Sequence, residues 1–331
     1  MVLLQMFFFY ASSPRCLYLI SEMPIFSENN VIMRSDTLIR REAIRRNYNK
    51  VRREKVSKIR WFAFAVIIGM LFYTLREKCE ASDSFAYDYG VFLSIDGSMV
   101  EVLEDYETVV IDAQYFDAQD ICRLKEEGHT VISYINIGSV ENFRDYYEDY
   151  EELFLGTYEN WEEEQWVDTG DRHWQQFILE ELAPELIEKG IDGFFVDNCD
   201  VCYNYRDNRI YDGTIMLLKG LMKYHKTVLI NGCDYILSRY EERKGNVTDI
   251  MTGINQETVF SSIDFDNETF GYQDSEISDY YREYLERYGA MEGVTIYLLE
   301  YTQDAAVQKK VEEYCVTNGY YYYISDSIEL D

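Results

Sequence analysis

The segment Gly190–Asp200, with the sequence GIDGFFVDNCD, predicts the end of a helix, a short strand and a turn rich in carboxylates. Its first residue follows a helical pattern and is a helix-stop glycine. The apolar run Gly193–Val196 predicts the strand, so Asp197 lies at its C-terminal end. Asp197 could instead cap the next helix. Because Asn198 and Asp200 can also supply that cap, a functional role for Asp197 is favoured.

Runs of the same kind alternate with amphipathic helical patterns from residue 90 onward. The eight predicted strands are Val91–Ile95, Thr108–Ala113, Thr130–Ile137, Gly193–Asn198, Thr227–Asn231, Ile250–Asn255, Val294–Tyr301 and Tyr320–Ser325. The predicted helices are Ala118–Glu127, Arg172–Lys189, Ile215–Tyr224, Glu276–Tyr288 and Ala305–Val316, and the helix-stop glycines are Gly128, Gly190 and Gly319. This alternation over about 235 residues predicts an α/β protein with a single (β/α)8 TIM-type barrel. A doubly wound sheet is the alternative, but the chain has no glycine-rich first turn.

The composition fits a globular protein whose body is strongly acidic. Hydrophobic residues make up 47% of the 331 residues, so a sizeable core is possible and wholesale disorder is excluded. The formal net charge is −30, and residues 81–331 hold 54 Asp and Glu against 17 Lys and Arg. This surface would repel phosphate backbones, so nucleic acid is not an expected partner. A neutral or cationic partner is favoured.

An uncharged stretch near the N-terminus predicts a membrane anchor. Trp61–Leu75 reads WFAFAVIIGMLFYTL, which is shorter than the roughly 20 residues that span a bilayer comfortably. Residues 34–60 before it hold eleven Lys and Arg, and a basic flank is typical of the cytoplasmic side. A buried core helix is the alternative, but it would not need this flank. No small-residue cleavage site follows, which favours an uncleaved signal anchor.

The predicted organisation therefore has four parts. They are a basic cytoplasmic arm (1–60), a transmembrane signal anchor (61–75), a linker (76–88) and the barrel domain (89–331). Residues 1–32 do not fit a signal anchor, and Met23 or Met33 is the expected native start. The predicted location is the cell membrane, with a single pass, the N-terminus in the cytoplasm and the barrel domain outside the cell.

No metal or organic cofactor is predicted. Cysteines after the anchor region are Cys122, Cys199, Cys202, Cys233 and Cys315, an odd number that cannot form a complete disulfide framework within one copy. The pair Cys199-x-x-Cys202 resembles half of a zinc or redox motif, but no second pair accompanies it. A packing role is therefore favoured for these two thiols.

In a (β/α)8 barrel, active sites lie at the C-terminal ends of the strands. Polar residues at the predicted strand ends are Asp96, Asp112, Asn136, Glu141, Asp197, Asn198, Asp200, Asn231, Gln256, Glu257, Glu300, Tyr301 and Asp326. Two carboxylates across a sugar linkage can hydrolyse it, because one protonates the leaving oxygen while the other attacks carbon or activates water. Asp197 is the strongest candidate by position, whereas Glu257 fits a solvated loop equally well. The acidic and aromatic insertion Phe143–Gln165 is expected on the same face.

Five motifs occur in an order that resembles a known family. They are VISYINIGSVENFR (Val131–Arg144), GIDGFFVDNCD (Gly190–Asp200), the pair Asn231-Gly232, GINQE (Gly253–Glu257) and LLEYT (Leu298–Thr302). Over residues 89–326 the chain resembles glycoside hydrolase family 114, the endo-α-1,4-polygalactosaminidase-like (β/α)8 hydrolases. The second motif is the most specific of the five.

The resemblance implies hydrolysis with retention of configuration, with Asp197 as the nucleophile and Glu257 as the acid/base. It places six further residues in the sugar subsites: Tyr134, Glu141, Arg144, Asp200, Asn231 and Tyr301. Arg144 and Glu141 could instead form a local ion pair, and Tyr301 could close the barrel rim.

The implied substrate is an α-1,4-linked galactosamine polymer that is partly deacetylated, and its positive charge suits the acidic surface. Aromatic residues of the insertion region that could stack on sugar faces are Tyr146, Tyr147, Tyr150, Phe154, Tyr158, Trp161 and Trp166, with packing of the insertion as an equal alternative. Ser139 stands where many members of the family have glutamate. This departure weakens the prediction of the substrate more than the prediction of hydrolysis.

Two other functions stay open at this point. A non-catalytic, membrane-tethered polysaccharide-binding protein would keep the same groove without turnover. A polysaccharide deacetylase would generally need metal-ligating histidines, and His129, His173 and His225 lack a convincing spacing for that role.

Overall fold

The computed structural model describes residues 85–159, 161–267 and 269–331. The predicted basic arm and membrane anchor lie outside the described residues. Within those three ranges, no helix is both long enough and apolar enough to cross a bilayer.

The described residues form thirteen strands. In chain order they are β1 (Tyr87–Phe92), β2 (Tyr106–Ile111), β3 (Thr130–Asn136), β4 (Ser139–Glu141), β5 (Phe154–Thr157), β6 (Glu164–Val167), β7 (Gly193–Asp197), β8 (Thr227–Asn231), β9 (Gly253–Glu257), β10 (Ser261–Asp264), β11 (Thr269–Tyr272), β12 (Thr295–Tyr301) and β13 (Tyr321–Ser325). Eight of them pair in parallel in the order β1-β2-β3-β7-β8-β9-β12-β13. Across the seam between the last and the first strand, the rings of Phe92 and Tyr323 are 5.3 Å apart. This nearly closed sheet confirms the predicted (β/α)8 barrel.

Helices separate most of the barrel strands. In chain order they are α1 (Ala118–Glu127), α2 (Arg172–Gln176), α3 (Ala183–Lys189), α4 (Val201–Asn204), α5 (Asn208–Met222), α6 (Asp234–Glu242), α7 (Ser275–Gly289) and α8 (Ala305–Asn318). A π-helical turn, Phe177–Leu182, joins α2 to α3, so the helical stretch predicted over 172–189 is continuous. Gly128 and Gly190 end α1 and α3 with φ angles of 104° and 109°, which only glycine adopts without strain.

Two apolar layers hold the barrel together. One fills its interior with side chains that alternate along the strands, such as Tyr89, Val91, Ile132 and Phe195. The other packs the outer faces of the strands against the helices. Leu330, from the segment after β13, is buried in the interior layer, and its carbonyl accepts a hydrogen bond of 2.9 Å from the backbone N–H of Leu93.

The structure corrects some predicted bounds. The sixth barrel strand was predicted over Ile250–Asn255, but β9 spans Gly253–Glu257, because Ile250 and Met251 pack in the outer apolar layer before the strand begins. Glu257 is therefore the last residue of the strand. Helix α5 begins at Asn208, seven residues before the predicted start, since the Asp207 side chain caps it there. Helices α4 and α6 were not predicted.

Two insertions stand on the C-terminal face of the barrel. Strands β4, β6 and β5 form an antiparallel sheet after β3, which agrees with the expected position of the acidic insertion. Strands β10 and β11 form a hairpin after β9. Trp161 of the first insertion meets Phe265 of the second in an edge-to-face contact with ring centres 6.0 Å apart. The insertions therefore touch each other above the strand ends.

Candidate active site

Asp197 and Glu257 come together at the C-terminal face. They end β7 and β9, and Asn231 ends the strand between them. The Asn231 Nδ2 atom donates to Asp197 Oδ1 over 3.0 Å and to Glu257 Oε1 over 2.7 Å. Because both oxygens bind one nitrogen atom, they are less than about 6 Å apart. This upper limit is compatible with the roughly 5–5.5 Å typical of retaining glycosidases and lies below the roughly 6.5–9.5 Å typical of inverting enzymes.

The backbone turns sharply after each of these three residues. Asn198, Gly232 and Thr258 follow them with φ angles of 60°, 66° and 53°. Left-handed backbone is rare for residues other than glycine, and it is a true outlier for a β-branched residue such as Thr258. Strain of this kind clusters at functional sites. The chain leaves the barrel at these points, while the side chains of the last strand residues stay at its mouth.

A chain of hydrogen bonds fixes the orientation of the Asn231 amide. Asn255 Nδ2 donates to Asn231 Oδ1 over 2.8 Å, and the Tyr89 hydroxyl donates to Asn255 Oδ1 over 3.1 Å. The thiol of Cys233 also donates to the backbone carbonyl of Asn231 over 3.0 Å. With its oxygen occupied by Asn255, the Asn231 amide must present its nitrogen to the two carboxylates.

Both carboxyl groups have raised pKa values. Burial raises the pKa of Asp197, and hydrogen bonds from Asn231 and from the backbone N–H of Asn198 oppose this effect. Burial raises the pKa of Glu257 as well, the Asn231 hydrogen bond lowers it, and the charge of Asp197 raises it further. The Tyr301 hydroxyl donates to Glu257 Oε2 over 2.9 Å. Two neighbouring carboxyl groups with raised pKa values can share the roles of acid and base.

Glu141 and Arg144 form a buried ion cluster with Asp112. Arg144 donates to Glu141 through Nε (3.1 Å) and Nη2 (2.9 Å), and to Asp112 through Nη1 (2.6 Å). Burial lowers the pKa of Arg144, but the two carboxylates outweigh it and leave this pKa raised. The Tyr134 hydroxyl links the cluster to the site, since it donates to Glu141 Oε1 over 3.1 Å and its polar group lowers the pKa of Asp197.

A third carboxyl group at the site, Glu164, comes from the insertion. Its Oε1 accepts hydrogen bonds from Asn136 Nδ2 (2.7 Å), Ser139 Oγ (2.5 Å) and Asn198 Nδ2 (2.7 Å). Burial, followed by the charge of Glu141, raises the pKa of Glu164 to about 7. Ser139 thus lies beside a carboxylate that another strand supplies. The side chains of Asn136, the last residue of β3, and Asn198, the residue after β7, hold that carboxylate in place.

Close approach of the backbone at Asn198 requires a glycine at position 138. A Cβ atom on this residue would lie 1.8 Å from the backbone carbonyl oxygen of Asn198, so no other residue fits without moving the strand end that follows Asp197.

Asp200 and Tyr158 complete the mouth. Asp200 is half-buried, and burial together with the charge of Asp197 raises its pKa to about 7. Burial, then the charges of Asp200 and Asp197, raise the pKa of the Tyr158 hydroxyl. Tyr158 stacks on Trp166, with ring centres 4.4 Å apart. Tyr158 and Trp166 therefore form a stacked pair within the insertion.

The cysteine pair of the CxxC motif lies beneath this mouth. Cys199 and Cys202 are fully buried, and the Cys202 thiol donates to Thr214 Oγ1 over 3.1 Å. Within the described ranges, no group of three or more His, Cys, Asp or Glu side chains could hold a metal ion.

The model of glycoside hydrolase family 114 matches residues 75–327, which is most of the chain. The chain belongs to glycoside hydrolase family 114. The glycoside hydrolase domain of PelA from Pseudomonas aeruginosa is 17% identical, with a TM-score of 0.63 over 74% of this chain and 96% of that one. Ega3 from Aspergillus fumigatus, solved in complex with galactosamine, is 17% identical, with a TM-score of 0.54 over 75% of this chain and 94% of that one. These two likenesses establish the fold, and no curated relative matches.

The structure of this family 114 member places all eight sequence-predicted site residues at or next to one mouth. Asp197, Glu257, Asn231 and Tyr301 are joined directly by hydrogen bonds. Tyr134 connects to Glu141 and Arg144, which lie in the wall as an ion cluster, and Asp200 lies beside Asp197. Their roles in sugar binding stay predictions.

Sequence reasoning missed Glu164 and Asn255. Glu164 reaches the site because β6 pairs antiparallel with β4, which sets Glu164 opposite Glu141. No local pattern in the insertion indicates that pairing. Asn255, by contrast, follows from the strand itself: it alternates with Ile254 and Gln256, and therefore faces into the barrel together with Glu257.

Proposed function

We propose that the protein hydrolyses α-1,4-linked, galactosamine-containing polysaccharide, with retention of configuration, through Asp197 and Glu257. Membership of family 114 supports glycoside hydrolysis, and the galactosamine complex of Ega3 supports the sugar. The observation that carries the catalytic assignment is the single Asn231 nitrogen atom that binds both carboxylates. Such close spacing favours retention, because the carboxyl groups of inverting enzymes are roughly 6.5–9.5 Å apart to admit a water molecule.

In the proposed reaction, Asp197 attacks the anomeric carbon while Glu257 gives its proton to the leaving glycosidic oxygen. The carbon–oxygen bond of the linkage breaks, and a covalent glycosyl ester forms on Asp197. Glu257, now ionised, then takes a proton from water, whose oxygen attacks the same carbon and releases Asp197. The raised pKa of Glu257 favours the protonated form that the first step needs. Tyr301 and Asn231 stabilise the ionised form that the second step needs.

Free amino groups on the substrate would meet an acidic mouth. Asp200 and Glu164 lie close to the catalytic pair, and burial raises the pKa of each to about 7. An ammonium group nearby would favour ionisation of both, so binding of a cationic sugar is coupled to loss of protons from the mouth. Asp200 accepts no hydrogen bond from any side chain of the described residues, which leaves its carboxylate available to the substrate.

A turnover assay separates the proposed function from its rivals. The full chain is incubated with partly deacetylated α-1,4-galactosamine polymer, and both new reducing ends and released acetate are measured. We expect reducing ends without acetate, and loss of these ends in Asp197→Asn. Binding without any product would favour the non-catalytic protein, whereas acetate release would favour a deacetylase. Either result would reject the proposal.

A second assay tests the amino sugar. We expect Asp200→Asn to raise KM for the partly deacetylated polymer about threefold to tenfold, because a paired charge is lost. The fully acetylated polymer should show a smaller effect, and added salt should weaken binding of the charged polymer alone. Glu283→Gln, an exposed change on helix α7, is the matched control. Equal effects on both polymers would contradict recognition of the amino group.

The location is a separate part of the proposal. The uncharged stretch Trp61–Leu75 and the eleven basic residues in 34–60 support a single-pass anchor with the barrel outside the cell. Added protease on intact cells should then cleave the barrel from the membrane fraction, while an epitope at the N-terminus stays protected. An epitope cut as readily as the barrel would contradict this orientation.

A further inference from the structure

A cavity of about 600 Å³ lies beside the mouth, between the β10–β11 hairpin and the segment that follows β13. Its walls include Phe270, Tyr272, Thr302, Asp304, Asp326 and Glu329. None of these residues belongs to the catalytic pair or to its hydrogen-bond partners. The volume is within the range of roughly 300–1,000 Å³ that small-molecule sites occupy.

One wall of the cavity includes the aromatic ring of Tyr272, which is held in place through its hydroxyl group. The Tyr272 side chain is 67% exposed, and its hydroxyl donates to Asp304 Oδ2 over 2.6 Å. Asp304 is itself fixed, since it accepts from the backbone N–H groups of Ala306 (2.7 Å) and Val307 (3.3 Å) at the start of helix α8. The ring is thus oriented from a rigid element while most of its surface remains open to a ligand.

The opposite wall is anchored to the barrel. Ser94 Oγ donates to the backbone carbonyl of Glu329 over 2.5 Å, and Leu330 is buried inside the barrel. The side chains of Asp326 and Glu329 remain exposed. This wall therefore offers carboxylates on a fixed backbone, opposite the ring of Tyr272.

Two aromatic rings in contact lie between the cavity and Glu257. Phe270 lines it, and the ring centre of Phe270 is 6.0 Å from that of Tyr301, whose hydroxyl binds Glu257. Thr302, the next residue along the chain, also lines it. Sugar units that extend from Glu257 past the rings of Tyr301 and Phe270 would therefore lie at the cavity.

We propose that this cavity is an outlying subsite for further sugar units of the same polymer, with Tyr272 as the stacking surface. The inference rests on the proposed function. A sugar ring has an apolar face that suits an aromatic ring, and its hydroxyl or ammonium groups suit the carboxylates of Asp326 and Glu329. The site would bind oligosaccharides long enough to extend from Glu257 past Tyr301, and shorter ones would not reach it.

The test compares galactosamine oligosaccharides of increasing length. In Tyr272→Ala, the ratio of kcat/KM for long over short oligosaccharides should fall about threefold to tenfold, as expected for loss of one aromatic contact. Asp326→Asn, which alters no packing, should lower the same ratio. Tyr87→Ala is the control, because Tyr87 is similarly exposed but begins β1 at the opposite end of the barrel. An unchanged ratio in both Tyr272→Ala and Asp326→Asn would overturn the subsite.

Binding to inactive protein separates this inference from the proposed function. With Asp197→Asn as the parent, calorimetry should show that adding Tyr272→Ala weakens binding of the longest oligosaccharide about threefold to tenfold. Equal affinities would reject the subsite alone. If the parent bound no galactosamine oligosaccharide of any length, the proposed function would fall, and the subsite with it.

Discussion

Asp197 and Glu257 accept hydrogen bonds from one and the same nitrogen atom. That atom, Nδ2 of Asn231, is 3.0 Å from the first carboxylate and 2.7 Å from the second. Parallel neighbouring strands bring the three side chains to one edge of the sheet, and Asn255 fixes the direction of the amide. The spacing of the carboxylates is therefore set by the barrel and one amide, with no contribution from a flexible loop.

Asn231→Ala should reduce kcat/KM about 100-fold, because a fixed donor that serves both carboxylates is lost. The Asn231 hydrogen bonds lower the pKa values of Asp197 and Glu257, so their removal should move both limbs of the pH profile to higher pH. The profile of kcat/KM against pH measures this. A variant with lowered activity and unmoved limbs would show that Asn231 acts only on the substrate.

Tyr301→Phe should shift only the basic limb of the profile of kcat/KM against pH. The Tyr301 hydroxyl stabilises the ionised form of Glu257, so its loss should raise the pKa of Glu257 and extend activity to higher pH. The acid limb, which reports Asp197 in the proposed mechanism, should stay in place. Tyr297→Phe, on the same strand but away from the carboxylates, is the control. A shift of the acid limb instead would exchange the roles of the two carboxyl groups.

Glu164→Gln should change how stability depends on pH. The pKa of Glu164 is raised from 4.5 to about 7. Its contribution to the free energy of unfolding is therefore fully present below pH 4.5, and it is lost as the pH rises through 7. Glutamine keeps the oxygen that accepts the three hydrogen bonds but carries no charge.

Chemical unfolding at about pH 5 and about pH 8 measures the effect of Glu164→Gln. The variant should gain up to about 3 kcal/mol over the natural protein at the higher pH and much less at the lower one. The exposed neighbour change Glu162→Gln is the control. An equal change at both pH values would mean that the charge of Glu164 is not what destabilises the fold.

Arg144→Met should destabilise the barrel by about 3–5 kcal/mol, because it leaves the buried carboxylates of Asp112 and Glu141 without their cation. Arg144→Lys should be milder, although it cannot make the paired contacts to Glu141. Denaturant unfolding gives the loss, and substrate affinity is measured on the fraction that stays folded. A stable Arg144→Met variant with weak substrate binding would support the sugar-binding role and contradict the structural one.

Much of the fold could be read from local sequence. The strand Gly193–Val196 and its terminal Asp197 follow from an apolar run between a helix-stop glycine and a polar turn. Thr227–Asn231 was predicted with the bounds it has in the structure. The position of Glu257 was harder to predict. The apolar residues Ile250 and Met251 favoured a strand over Ile250–Asn255, so Glu257 was predicted to lie beyond the strand rather than at its last position.

The remainder depends on contacts that local sequence does not encode. Glu164 is 33 residues from Asp197, and it joins the site only through the pairing of two short strands in an insertion. The cavity beside Tyr272 forms between a hairpin and the segment after the last strand, which are far apart in sequence. Periodicity identifies strands and helices, but it does not say which insertions meet above the barrel.

The most direct test of the catalytic pair is proton NMR of the anomeric signals during hydrolysis of a defined α-1,4-galactosamine oligosaccharide. The natural protein should release the α-anomer first, as retention requires. Asp197→Asn and Glu257→Gln should each release neither anomer at a measurable rate. Initial release of the β-anomer, or hydrolysis at the natural rate in either variant, would contradict the account.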